Sequence, residues 1–263
     1  MRSIVWHEMK LLYKTFLIWT LSVGGLCFLC ILLFHSMKSE MASMAEGFSN
    51  MGAFADAFGM SQLSIATLEG FYATEVGTIH SLGAAMFVAI ISMVMLSKEE
   101  DGHTSEFLFT LPVSRAKVIT SKFMAVLINV VLFNVICVGI YALGILLLNE
   151  EIQFKRFFLY HGMQLFMHLE IAGICFGLSA FMKKNKLGFG LGIVMLFYAY
   201  DLMARVIPDL SDYKFISPFS YANAADLFSA GKIETGALVL GMVTMVVSVA
   251  LAYGRYTRRD LVA

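Results

Sequence analysis

Two groups of polar side chains stand out in a sequence of 263 residues that is otherwise strongly apolar, and each suggests its own chemistry. The first is His161, Gln164, His168 and Glu170, all inside one apolar run. On a helix His161, Gln164 and His168 share a face at i, i+3 and i+7. Glu170 aligns instead with Gly173 and Gly177, and small residues in that pattern let two helices approach closely. An acid near the middle of a bilayer costs roughly 2.5–3.5 kcal/mol, so such residues are functional candidates by default. Two readings stand. Either Glu170 and His168 belong to a translocation path, with Asn129 and Asn134 as partners at compatible depth, or Glu170 is protonated or hydrogen-bonded and only fixes packing.

The second group is Lys98-Glu99-Glu100-Asp101-Gly102-His103-Thr104-Ser105-Glu106, followed by Leu111-Pro112-Val113-Ser114-Arg115. It lies between two apolar runs in a chain where charge is scarce. Glu99, Glu100, Asp101 and Glu106 can pair with basic residues of a partner and set the register of docking. Phe107, Leu108 and Leu111 supply an apolar side, Pro112 ends the helix, and Ala116 to Lys122 lead into the next run. The acidic half is expected to face the cytosol.

Other chemistry is mostly excluded. There is no G-x-x-x-x-G-K-[ST], so the chain has no P-loop for ATP, and there is no H-E-x-x-H. Ser179 sits among small residues like an intramembrane nucleophile, but the last apolar run offers no histidine as its base. Cys27 and Cys30 form a C-x-x-C inside an apolar run; with Cys137 and Cys175 they read as small core residues. Met37, Met41 and Met44 at helical spacing read as a packing stripe rather than a soft-metal site, and no metal site is expected. Basic residues without interleaved aromatics give no nucleic-acid signal. Gly188 and Gly192 make a G-x-x-x-G suited to helix packing, within the chain or in a dimer.

The elements that must position these residues follow from composition. With 59% hydrophobic and 14% charged residues against about 25% charged in a soluble domain, the chain is of the membrane class. Six stretches are apolar and long enough to span: Phe16 to Phe34, Thr78 to Leu96, Phe123 to Leu148, Phe157 to Met182, Leu187 to Leu202 and Ala237 to Tyr253. Helices are the spanning form expected, because no strand alternation appears. Placing both termini inside puts 13 of the 19 Lys and Arg on the cytoplasmic side, in accord with the positive-inside rule. Residues 1–15, with Trp6 among charges and aliphatics, suit an interfacial helix or a plain extension of the first span. Their length before the first apolar run argues against a cleaved signal peptide. The outer loop 35–77 is expected to form short amphipathic helices, and the outer segment 203–236, with Pro208 and Pro218, to dip into the outer leaflet.

The run from Lys98 to Arg115, ending in Ser121-Lys122, resembles the signature E-x-x-x-G-T-x-E-x-L-x-x-x-P-V-S-R of ABC-2 type permeases, with His103 where a threonine is usual. Ile216-Ser217-Pro218-Phe219-Ser220-Tyr221 is similar to that family's S-P-F-x-Y segment. The resemblance covers nearly the whole chain. It implies an all-α membrane protein with an ABC-2 (type V exporter-like) transmembrane domain, six spans and both termini cytoplasmic. Residues 97–122 would carry the coupling helix, with Glu99, Glu100, Asp101, Gly102, Glu106, Pro112 and Arg115 at the contact with a separate ABC ATPase subunit. That subunit, in two copies, would hold ATP and Mg; this chain would hold no cofactor and no ATPase site of its own. A second permease, identical or homologous, would complete the complex in a bacterial cell membrane, with the second and fifth spans lining the cavity. The resemblance implies export of a lipophilic, peptide or drug-like substrate. Two alternatives remain: a sensor or immunity component without net transport, and sodium- or proton-coupled efflux or intramembrane hydrolysis using His168 and Glu170.

Overall fold

The computed structural model describes residues 1–102, 113–150 and 152–258. Among them there is no strand, and six helical stretches are long and apolar enough to cross a membrane. In lipid a backbone can satisfy its own hydrogen bonds only in this way or as a closed barrel.

The first stretch is one rod from Arg2 to Ser49. It comprises α1 (Arg2–Trp19), a π-helical turn (Thr20–Gly24) and α2 (Gly25–Ser49). At 1.5 Å per residue, its 48 residues span about 72 Å, far more than the roughly 30 Å of a hydrocarbon core. The N-terminal segment therefore extends the first span. The expected loop 35–77 is also shorter than its limits suggest, because α2 runs on to Ser49 and the second span starts at Leu68. Between them lies α3 (Ala53–Phe58), and Met41 packs with Ala55, Met60 and Ile65 in a small satellite core.

The second stretch begins with α4 (Leu68–Phe71), capped by the Thr67 hydroxyl, which accepts from the Gly70 amide at 3.1 Å. It passes through a π-helical turn (Tyr72–Val76) into α5 (Gly77–Met93). A short helix α6 (Lys98–Asp101) follows. Then come α7 (Arg115–Leu148), capped by Ser114, and α8 (Phe154–Ser179). The remaining elements are α9 (Leu187–Val206), α10 (Pro208–Ser211), two 3₁₀ turns (Lys214–Ile216 and Ser220–Ala222), α11 (Ala224–Ser229) and α12 (Thr235–Arg258).

Helix α8 is the hub, packed on α12, α5 and α7, while α9 lies against α5 and the first rod against α7. The start of α1 and the end of α12 sit at one end of the bundle: Glu8 pairs with Lys98, and Arg115 Nη1 donates to the Thr257 carbonyl at 3.5 Å. We refer to this as the near end. At the far end residues 217–228 fold back into the bundle, burying Phe219, Tyr221, Leu227 and Phe228. The Ser217 hydroxyl donates to the Phe197 carbonyl at 2.9 Å, and Gln164 Nε2 donates to the Ala222 carbonyl at 2.8 Å.

Candidate functional site

At the near end, four charged side chains from three parts of the chain meet. Glu8 of α1 pairs with Lys98 of α6 and, at 3.2 Å, with Lys122 of α7. Lys122 also pairs with Glu99 and donates to the Met95 carbonyl at 2.8 Å. The Glu8 and Lys122 side chains are 3% and 1% exposed, so their charges have left water and depend on each other. Burial and the neighbouring Lys122 push the Lys98 pKa below the usual lysine range, with Glu8 and Glu99 opposing the shift.

This geometry corrects one expectation. The acids of the 98–106 run do not all face outward. Glu99 turns inward to Lys122, and Glu100 is buried, whereas Asp101 and Gly102 are exposed. The reason is electrostatic: a lysine fully enclosed between helices is costly without carboxylates beside it, and Glu99 joins Glu8 in supplying them. Arg115 lies at the start of α7 and reaches the C-terminal helix through Thr257. Glu106 and Pro112, with the rest of 103–112, lie outside the described residues.

In the bundle core, His161, Gln164 and His168 do share a buried face of α8. His161 Nε2 lies 2.7 Å from the Tyr72 hydroxyl, and Gln164 Nε2 lies 2.5 Å from Ser81 Oγ. His168 Nδ1 donates to Asn134 Oδ1 at 3.0 Å. His80 of α5 completes the cluster, its ring 5.2 Å from that of His161 and 5.5 Å from that of His168. Its Nδ1 is 3.1 Å from the Tyr141 hydroxyl. His80 Nε2, His161 Nδ1 and His168 Nε2 are enclosed without a protein partner, the kind of group that ordered water commonly satisfies. Among the described residues, no three His, Cys, Asp or Glu side chains are arranged to hold a metal ion.

Glu170 lies on the opposite side of α8, toward α12. Its Oε2 accepts from the Tyr221 hydroxyl at 2.8 Å. Its partner is therefore the tyrosine of the Ser217–Tyr221 segment, not Asn129 or Asn134. Asn134 is engaged with His168, and Asn129 Nδ2 is held by the Ala125 carbonyl at 2.8 Å and Met9 Sδ at 2.9 Å. The four polar residues expected to form one path thus belong to three separate places. The small-residue face is as expected: a Cβ on Gly173 would lie 2.6 Å from Met245 Cγ, and one on Gly177 would lie 2.8 Å from the Ser248 carbonyl.

Gly188 and Gly192 have no atom near enough to touch an added Cβ, so neither packs within the chain. The residue between them, Gly190, does so, with an added Cβ 3.2 Å from Met93 and 3.4 Å from the Ala89 carbonyl. The second and fifth spans are therefore direct neighbours.

Sequence reasoning missed Glu8, Lys122, His80 and Tyr221 as partners. His80 carried a faint signal, a lone histidine inside an apolar run, and so did Lys122, a cation at the root of one. Nothing local marks Glu8, and the segment that carries Tyr221 gives no sign of its partner; the two partners lie 90 and 51 residues away.

A family model described as ABC-2 family transporter protein matches residues 2–261. No curated protein matches the chain. Six apolar helices in an all-helical bundle and a family match over almost the whole sequence agree: the chain belongs to the ABC-2 transporter family, as the multi-pass membrane permease component of an ABC transporter.

Proposed function

We propose that this chain is the permease half of an ATP-driven exporter of a lipophilic, peptide or drug-like substrate, worked from its near end by a cytoplasmic ABC ATPase in two copies. The near end is then cytoplasmic and the far end external. The observation that supports this reading best is the ion pair between Lys122 and Glu99, which joins the roots of α6 and α7 on either side of the 103–112 segment. A push on that segment reaches α5 and α7 together, as a rigid-body displacement requires. The partner ATPase supplies ATP and Mg, and its docking contact takes in Asp101, Gly102, Glu106, Pro112 and Arg115. Glu99 and Glu100 shape the platform from behind.

The exposed Gly188 and Gly192 give α9 a face for a second permease, identical or homologous, with the cavity bounded by α5 and α9. The His168–Asn134 pair lies in the buried core beside His80 of α5, while Glu170 fixes the far-end segment through Tyr221.

The test is charge reversal at Asp101 and Glu106 in the permease–ATPase complex, reconstituted in vesicles with a fluorescent amphiphile as transport probe. Uncoupling of ATP hydrolysis from probe movement, or loss of the ATPase, is expected. An intact complex with full ATP-driven transport after both reversals refutes the docking assignment.

A further inference from the structure

The charged quartet also involves a part of the chain that the docking reading leaves unused. Glu8 lies on α1, at the tip of the long N-terminal rod, yet both its oxygens are engaged by lysines that flank the 103–112 segment. The set is neutral overall, with two carboxylates and two ammonium groups, and its inner members are almost without solvent. Sliding α1 relative to α6 or α7 would separate buried opposite charges and leave each uncompensated, a far larger penalty than parting apolar surfaces. The contact is therefore stiff against relative motion and keeps α1 in register with the segment roots.

A second observation shows where the rod can give way. It is regular α-helix on both sides of Thr20–Gly24, and only there does it adopt a π-helical turn. Such turns carry weaker, rearrangeable backbone bonds and are frequent at functional bends. Gly24 and Gly25 stand at the junction; an added Cβ at Gly25 would meet no neighbouring atom, whereas one at Gly24 would lie 3.2 Å from Ile140 Cδ1 of α7, so the turn is open on one side and seated on α7 on the other.

We propose that Glu8 is a positioning residue for energy coupling: through Lys98 and Lys122 it makes α1 a lever that moves with the 97–122 segment and pivots on the Thr20–Gly24 turn. This rests on the reading that the segment is driven by an ATPase. The movement then has two routes into the membrane, directly through α5 and α7, and through α1 into the first span. α1 carries exposed Trp6, Leu11, Tyr13 and Ile18, so its displacement also reshapes the apolar surface at the near end.

The test uses the full complex with its ATPase in lipid nanodiscs, spin-labelled in pairs. One pair joins Leu11 of α1 to Phe189 of α9, and the other joins Asp101 to Phe189. Both label positions on the helices are exposed. Distances are read by pulsed electron resonance without nucleotide and with ATP in a hydrolysis-deficient ATPase. In the otherwise unaltered chain, ATP should shift both distances together. In Glu8→Gln the Asp101 shift should persist and the Leu11 shift should be lost, and Glu8→Asp, which keeps the charge, should restore it. If ATP moves neither pair, the docking reading fails. If Asp101 moves and Leu11 does not in the unaltered chain, or Leu11 still follows in Glu8→Gln, the lever is refuted while docking survives. The measurement on the unaltered chain can refute the lever even if Glu8→Gln does not assemble, and Lys98→Gln, which removes the Glu8–Lys98 pair from the other side, then takes its place: loss of the Leu11 shift is expected, and a retained shift refutes the lever.

Discussion

Replacing Tyr221 by Phe removes one oxygen from a site where it has a single identified task. The ring is 3% exposed and keeps its packing, so the change is confined to the hydroxyl that donates to Glu170 Oε2 at 2.8 Å. Glu170 is itself 7% exposed, so it has little water to turn to. Losing a hydrogen bond to such a group costs about 1–3 kcal/mol, most of it the penalty of an acceptor left unsatisfied. For a protein of this size each kcal/mol corresponds to about 2–4 °C in melting temperature. Glu170→Met alone removes the acceptor and strands the tyrosine hydroxyl. Removing both polar groups should be close to neutral, or stabilising, because nothing is then left unpaired. The assay is thermal or denaturant unfolding of the purified chain in detergent, with Tyr221→Phe measured alone and in the Glu170→Met background. The cycle should give a coupling of about 1–3 kcal/mol, well above the few tenths expected of independent sites. Strict additivity would refute the pairing and with it the anchoring of the far-end segment to α8.

Three further outcomes follow from the packing. Gly177→Val places a branched side chain against the Ser248 carbonyl and should destabilise the α8–α12 contact by about 1–3 kcal/mol, read as a lowered unfolding midpoint. Gly188→Leu with Gly192→Leu meets no intrachain neighbour and should change monomer stability by no more than about 0.5 kcal/mol, while crosslinking between permeases falls if α9 forms their interface. His168→Leu leaves Asn134 Oδ1 enclosed without its donor and should cost about 1–3 kcal/mol; the further change Asn134→Leu should recover most of that loss in the same unfolding assay.

The spans were legible because apolar runs of bilayer length admit few alternatives. Their ends were not. Residues 35–49 mix Lys38, Glu40 and Glu46 with Met37, Met41 and Met44, which in sequence resembles a loop, yet the same mixture is an amphipathic helical extension of α2. The second span begins at Leu68 because Thr74 and Glu75 fall within a π-helical turn that keeps the helix continuous, and no apolar window registers that. The polar face of α8 could be read from spacing alone, and so could the glycine face that meets α12. Partner identity could not, since Tyr221 reaches Glu170 only through tertiary folding of the far-end segment. Lys122 stands in sequence at the mouth of an apolar run, where a charge can reach water, whereas in the fold it lies inside, between Glu8 and Glu99. The acids of the 98–106 run were therefore legible as a cluster, but their division into inward Glu99 and outward Asp101 depends on where α1 and α7 lie.

The most direct measurement is crosslinking from Asp101→Cys in the assembled complex within intact membranes. Docking requires that this position couple to the ATPase subunit, that ATP change the yield, and that a membrane-impermeant thiol reagent added outside the cell fail to reach it. Labelling from outside, or a cysteine that never meets the ATPase while the complex still transports, would contradict the assignment of the near end as the motor-facing surface.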